Sequence, residues 1–346
     1  MSTGLEIANP APVAAWDGLP SSHTDASIFH APEWAEALRE SYGYSQRNVE
    51  ITDGGGPKVF LPLMEVRSAL TGRRAVSLPF SDYCDPLIRE GVSLREVMDR
   101  LVAEGRRAGW KSIELRISKP LPGDVPPSSA YFRHVLSLTD DEKALFSGFR
   151  SSTQRNIRKA EKEGVRTAMS GSLEAVREFY RLNCLTRRDH GLPPQPFLFF
   201  RNLHRHLLEK HLGFVVLASY GGTNIAGGLF LHFRDKGFYK YGASDRKYQS
   251  LRANNLVMWE AIRWFSRNGF RSFCFGRTER GNEGLTQFKS GWGAQESVLY
   301  YYKRDVRNDK YLVDRSLVTG LHNRVFRTLP IALSKVIGSA LYRHMG

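Results

Sequence analysis

The sequence predicts an α/β (α+β) protein of two tandem units, each with a mixed, mostly antiparallel sheet flanked by helices. Three observations predict it. Apolar spacing switches repeatedly between the helical period and the alternation of a strand. The order helix, meandering strands, loop, helix, strand, strand occurs twice. A chain of 346 residues is long enough for two domains with ordinary cores, at roughly 100–200 residues per domain. A duplicated unit of roughly 140 to 160 residues accounts for all three.

After a Pro/Ala-rich lead, Phe29–Trp34 opens a helix with Pro32 in its first turn, and Trp34, Ala37 and Leu38 mark its buried face. Arg47–Thr52 and Lys58–Val66 read as strands of a hairpin, joined by the turn chemistry of Asp53–Pro57. A third strand, Ala75–Phe80, leads through the loop Ser81–Pro86 to a helix over Leu94–Ala108, where Ser93 and Glu96 form an S-x-x-E capping box. Strands follow at Trp110–Ile117 and, after a Pro-rich connection, at Tyr131–Leu138. In the second half Ser151 or Ser152 caps a short helix ending near Gly164. A second helix, Leu173–His190, is stopped by Gly191 and the Pro193-Pro194 pair, and a third runs over Phe197–Leu212. Strands at Phe214–Ser219, Ile225–Phe233 and Gly237–Ala243 are separated by Gly-containing turns. Ser244–Ala253 is a basic loop without apolar periodicity. Asn254 or Asn255 then caps a helix that closes at Gly269, followed by a strand at Phe270–Phe275, a short helix at Leu285–Phe288 and a last strand at Val298–Tyr302.

Net charge is +15, from 50 Lys and Arg against 35 Asp and Glu. Such a field attracts nucleic acid, phosphorylated cofactors, lipid-linked pyrophosphates and anionic membrane surfaces, without choosing among them. Cys84, Cys184 and Cys274 are widely spaced, which argues against a disulfide framework or a zinc cluster. His204, His206 and His211 do not make the H-E-x-x-H zinc pattern and read as surface histidines. No apolar run approaches the ~18 residues of a spanning helix, and Met1–Pro20 lacks the marks of a secretory signal. The expected compartment is the cytoplasm.

The strand, basic loop and helix start between Gly237 and Asn255 can hold an anion, because free backbone N–H groups and the positive end of the helix dipole converge there. The wording of the second half goes further. Residues Thr153–Gly164, Tyr239–Asp245, Asn254–Ile262, Phe275-Gly-Arg-Thr and Gly284–Gly293 resemble, in order, the FemAB-like acyltransferases of the GNAT fold. That group includes enzymes adding amino acids to peptidoglycan precursors and relatives tied to exopolysaccharide synthesis. The resemblance covers Phe149–Tyr302; the first half shares only element order and the segment Ser77–Asp82. It implies twin GNAT-like domains, no metal, and N- or O-acyl transfer. The implied layout is a degenerate GNAT-like domain over 1–140, an acyltransferase domain over 141–303 and a basic amphipathic tail over 304–346. Two departures stand out: no segment has the length of the helical arm of tRNA-dependent members, and Arg246–Ala253 lacks both glycines of the usual R/Q-x-x-G-x-G/A pyrophosphate loop.

The expected site follows. Lys289, in a Phe288-Lys289 pair that resembles the family's site lysine, is the cation expected beside a developing oxyanion, against a plain surface lysine. Tyr239 and Tyr241 share one face of their strand by the period of two, so both hydroxyls reach one cleft or one core. Asp245 accepts a proton from the incoming amine, or serves a turn; Glu260 acts as a base if desolvated, or pairs with a nearby Arg. Arg246, Gln249, Arg252, Asn254 and Asn255 are the donor-binding set, for an acyl-CoA or aminoacyl-tRNA co-substrate with no permanently bound cofactor. Tyr239, Arg155, Arg158, Arg277, Phe288 and Trp292 are the substrate-binding set; Arg155 and Arg158 share a basic helical face with Lys159 and Lys162, which contacts phosphate of donor or acceptor or is plain solvated charge. Cys274 has no activating partner nearby in sequence. The expected reaction moves an acyl or aminoacyl group to an amine or hydroxyl of a cell-envelope precursor. The competing class is a non-catalytic protein binding nucleic acid or lipid pyrophosphate. The apolar face of Leu329, Leu333, Val336, Ile337, Ala340 and Leu341, with Arg327, Lys335 and Arg343, is either a helix docked on the body or one lying on an anionic membrane.

Overall fold

The computed structural model describes residues 5–8, 22–53, 56–313 and 326–346. Its elements in chain order are β1 (Leu5–Ala8), α1 (Pro32–Tyr42), β2 (Ser45–Gln46), β3 (Asn48–Asp53), β4 (Gly56–Leu61), β5 (Met64–Ser68), β6 (Gly72–Val76), β7 (Leu87–Ile88), α2 (Leu94–Ala108), β8 (Ser112–Ile117) and β9 (Ser129–Ser137). There follow α3 (Glu142–Ser147), α4 (Ser151–Lys162), β10 (Arg166–Ser170), α5 (Leu173–Asp189), α6 (Phe197–Leu203), β11 (Gly213–Tyr220), β12 (Thr223–Phe233) and β13 (Lys236–Ser244). The last are α7 (Ala253–Arg267), β14 (Ser272–Glu279), α8 (Glu283–Ser290), β15 (Gln295–Asp305), β16 (Lys310–Leu312) and α9 (Ile331–Tyr342). Packing divides them into one unit of Met1–Tyr131, Val298–Leu317 and Leu341–Gly346, and another of Phe132–Ser297 and Val318–Ala340. These units are discontinuous, unlike the linear segments 1–140, 141–303 and 304–346. The reason is tertiary: β15 pairs with β8 from Tyr300 to Asp305 and so returns late residues to the first unit.

In the first unit β1, β3, β4 and β7 form a small antiparallel sheet. Strands β5 and β6 pair antiparallel, α2 follows, and β8 lies parallel to β6. The expected strand Lys58–Val66 is divided: β4 ends at Leu61 and β5 begins at Met64 in another sheet, because Pro62 has no N–H to continue the ladder. The expected strand to Phe80 ends at Val76, since Leu78 and Phe80 adopt φ of 52° and 59°. Helix α2 has its expected bounds and the Ser93 half of its capping box, while the Glu96 carboxylate turns to Arg100. Ser93 Oγ accepts from the Glu96 N–H at 3.1 Å, Gly109 closes the helix at φ 69°, and Val97, Leu101 and Val102 enter the core. The turn glycines Gly54 and Gly55 lie outside the described residues.

The second unit repeats the pattern with a longer meander. Strands β10, β11, β12 and β13 run antiparallel in that order, α7 crosses over, β14 returns parallel to β13, and β9 lies next to β14. Adjacent strand residues point to opposite faces. A side chain at Gly227 would meet Phe179 of α5 at 3.3 Å, and one at Gly228 would meet Val257 of α7 at 3.2 Å, so α5 covers one face and α7 the other. Several boundaries differ from expectation, and the expected helix Phe197–Leu212 is α-helical only to Leu203, with a π-helical turn over His204–Leu208 after it. Helix α4 starts at Ser151 itself, after Arg150, with no side-chain cap. Helix α7 starts at Ala253, capped neither by Asn254 nor by Asn255 but preceded by Arg252 at φ 60°. The basic loop is a 3-10 turn, Arg246–Leu251.

Candidate active site

Strands β13 and β14 pair only over Lys236–Phe238 and Ser272–Cys274, although β13 continues to Ser244 and β14 to Glu279. The two strands part beyond Phe238, and their facing backbone edges are freed from each other. Both are distorted where they part. In β13, Tyr239 pairs with Phe230 and Tyr241 with Leu229, so Lys240 is an extra, bulged residue. In β14, Gly276 takes φ 70°.

The bulge overturns the expectation that Tyr239 and Tyr241 share a face, because one inserted residue reverses the alternation after it. Tyr239 packs on Phe230 at 5.4 Å within the core on the α7 side. Tyr241 meets Phe199 and Phe200 of α6 at 6.3 and 5.6 Å. Burial pushes the Tyr239 hydroxyl well above the usual phenol range. That hydroxyl occupies the space beside Gly242, where a Cβ would lie 1.6 Å from it.

Lys289 is not a surface residue. It is 2% exposed, and its Nζ donates to the carbonyl oxygens of Gly276 and Arg277, both at 3.1 Å. The ammonium therefore holds the parted limb of β14 from the α8 side. His134 of β9 is fully buried nearby, its Nε2 3.1 Å from Glu296 Oε2. Burial first, then the Lys289 charge, holds its imidazole below the ordinary range. Sequence reasoning missed His134 and Glu296. They lie on different strands far apart in the chain, and neither stands in a motif.

The open end of the strand pair is basic. Arg246, Lys247, Gln249, Arg252 and Asn254 are exposed there, and the first turn of α7 contains no acid. Asn254 Nδ2 donates to Ser244 Oγ at 3.2 Å, tying the helix start to the end of β13, whereas Asn255 is buried. The left-handed residue is Arg252, so this turn is not the glycine loop of the usual pyrophosphate site. Asp245 is committed locally: its Oδ1 accepts from the Lys247 N–H at 3.0 Å and starts the 3-10 turn. Glu260 takes its plain role, both carboxylate oxygens accepting from Arg263 Nη2 at 2.9 and 2.8 Å. Neither carboxylate is set apart as a base. Arg277 is exposed at the far end of β14. Arg155 and Arg158 are exposed on α4, with Arg158 over the Phe146 ring at 5.2 Å. Phe288 is half-buried, edge-on to Trp292 at 5.9 Å, and Trp292 is fully buried against Phe149 at 5.0 Å, which makes it core rather than a surface that touches ligand.

The corresponding place in the first unit is filled. The Arg116 guanidinium, 8% exposed, donates to Glu114 at 2.8 Å and to the carbonyl oxygens of Leu78 and Ser81 at 3.5 and 3.3 Å. The Cys84 N–H donates to the Arg116 carbonyl at 2.7 Å. Glu96 stands in the first turn of α2 and pairs with Arg100 at 2.8 Å, a charge that repels an anion from that helix start.

Residues 147–296 match the family model of the acetyltransferase (GNAT) domain. That stretch has the GNAT fold. The matched GNAT stretch contains the parted strands, the basic turn and Lys289. Among solved structures the chain is similar to FemX, at 14% identity and TM-score 0.64 over 86% of this chain and 96% of that one. It is also similar to a tandem GNAT protein from the clavulanic acid biosynthesis pathway, at 12% identity and TM-score 0.57 over 88% and 99%. L-PGS from Bacillus licheniformis follows at 12% identity and TM-score 0.52 over 95% and 98%. At these identities the likeness is one of fold, a tandem GNAT architecture. No curated protein matches the sequence.

Proposed function

We propose that the protein is an acyltransferase whose second unit binds a phosphate-bearing acyl donor, acyl-CoA or aminoacyl-tRNA, and acylates an amine or hydroxyl of a cell-envelope precursor. One observation carries the reading: β13 and β14 part beyond Phe238 at the mouth of an exposed basic turn and an acid-free helix start. In this reading the donor's phosphate lies against Arg246, Arg252 and the N-terminal turn of α7, where charge and helix dipole act together. Its acyl arm runs between the parted strands. Attack by the acceptor nucleophile forms the new N–C or O–C bond and places negative charge on the acyl carbonyl oxygen. Collapse then expels the carrier's thiol or hydroxyl, which takes up the proton released by the nucleophile. Lys289 supports this geometry from behind by fixing the two carbonyls of β14. The cell-envelope acceptor rests on likeness to FemX and L-PGS alone.

The test is transfer of a labelled acyl group under single-turnover conditions, with panels of acyl-CoA and aminoacyl-tRNA donors. Transfer to an envelope precursor that accumulates in a deletion strain is the expected result. Saturable binding of donors and nucleic acid with no transfer from any donor would favour a non-catalytic polyanion binder.

A further inference from the structure

The geometry points to a binding site for an anionic lipid in the second unit, in a cavity of about 510 Å³ between α9 and the pair α5 and α6. Its lining is Arg177, Tyr180, Phe197, Lys335, Val336 and Ser339. That volume lies within the roughly 300–1,000 Å³ typical of ligand sites. The site exists because of how α9 docks. Gly338 packs so closely on α6's approach that a Cβ there would lie 2.1 Å from the Pro194 carbonyl oxygen. Ser334 and Gly338, both small, are buried, while Val336 and Ser339 line the cavity.

Three features select the ligand. Both charged groups in the lining are positive, Arg177 and Lys335, and no acid balances them there. The Lys335 ammonium is held over the Tyr180 ring at 5.2 Å, which fixes a cation against an aromatic wall. The remaining walls, Phe197 and Val336, are apolar, and the surface beside them is apolar too: Val336 is 66% exposed, Leu333 47% and Leu198 37%. A hydrocarbon chain fits the apolar walls while a phosphate or carboxylate head sits between Arg177 and Lys335. Scattered exposed apolar residues are ordinary; an exposed Val336 in the wall of a cavity whose charged lining groups are both positive is what favours an amphiphile. The site does not rest on the acyl-transfer reading, since lipid could bind here in a protein that transfers nothing.

Isothermal titration of the full chain with lauroyl lysophosphatidic acid, below its micelle concentration, tests it. Monolaurin carries the same chain without phosphate, and inorganic phosphate carries the head without the chain. The expected result is one saturable site for the lysophosphatidic acid, at least tenfold weaker binding of monolaurin, and no measurable heat from phosphate. Lys335→Ala and Arg177→Ala should each weaken binding about tenfold or more, the size of one charge-assisted hydrogen bond. Val336→Trp should fill the cavity and abolish binding with unchanged melting, because that position is exposed. Absence of saturable binding, equal binding of monolaurin, or undiminished binding by Val336→Trp overturns the proposal.

Discussion

Lys289 shows how burial changes what a residue is expected to do. An exposed lysine could be replaced with little effect on folding, but this ammonium satisfies two carbonyls in the interior. Lys289→Met should lower stability by about 1–3 kcal/mol for each acceptor left unpaired. It should also cut turnover by on the order of 10²-fold or more, as β14 shifts under the acyl arm. Urea unfolding and single-turnover rates measured on the same variant separate the two effects; full stability with normal turnover ends both roles. Gly242 offers a sharper geometric test. Gly242→Ala puts a methyl where the Tyr239 hydroxyl lies, so Tyr239 must move. The double variant Gly242→Ala/Tyr239→Phe should recover much of the stability that Gly242→Ala loses in thermal melts.

At the scale of the element, the turn before α7 combines charge with an unusual backbone. Arg246→Ala and Arg252→Ala should weaken donor binding more than acceptor binding. The loss should shrink at high salt, since the Debye length falls from about 10 Å at 0.1 M to about 3 Å at 1 M. Arg252→Gly supplies the control, because it removes the same charge while relieving a φ of 60°. Donor titrations at the two salt concentrations read the result; equal weakening of donor and acceptor would move the donor site elsewhere. The two parallel pairs, β13 with β14 and β6 with β8, are the same element built to different ends. One is opened by a bulge, and the other is closed by Arg116 and the segment from Leu78 to Cys84.

For the molecule as a whole, acid sensitivity follows from three histidines. His134, His190 and His232 all have imidazoles held below their ordinary range, in each case chiefly by burial. Their folded affinity for protons is lower than the unfolded value near 6.5. Below that pH the unfolded chain binds more protons, and stability falls as pH drops through the folded values. Calorimetric melting should therefore decline from pH 7.5 to 5.5. His232→Leu, set among Trp264, Phe265 and Phe270, should flatten the decline. An unchanged slope in that variant removes His232 from the account. The C-terminal residues also bear on stability. Arg74, 8% exposed, donates to the carbonyl oxygens of His344, at 2.8 Å, and Gly346, and the Tyr44 hydroxyl donates to the Tyr342 carbonyl at 3.1 Å. Truncation after Asp314 should lower the melting temperature by several degrees. An unchanged melting temperature would return the segment to a purely membrane-facing role.

The sequence by itself determined most of the longer elements and much of their order, though not α3 or β10, because capping residues, turn glycines and apolar periods act over a few neighbouring residues. Helix α2 begins after Ser93 and ends before Gly109 for reasons visible in those residues alone. The basic turn, the helix after it and Lys289 were likewise legible as motifs. Only the tertiary structure decided which face each residue took. Tyr239 and Tyr241 were separated by a bulge that arises from pairing with β12, and Pro62 passed the chain from one sheet to another. Lys289 and Trp292 proved buried, because burial depends on what other strands and helices bring, whereas the pairing of Glu260 with Arg263 is local to α7. The docking face of α9 shows the same limit. Its apolar residues promised a continuous stripe, yet it is Gly338 that makes the close contact with Pro194, since how near a helix approaches is set by the smallest side chains its partner meets. His134 and Glu296 left no local trace at all, for their proximity is created by strand order, which no short stretch of sequence encodes.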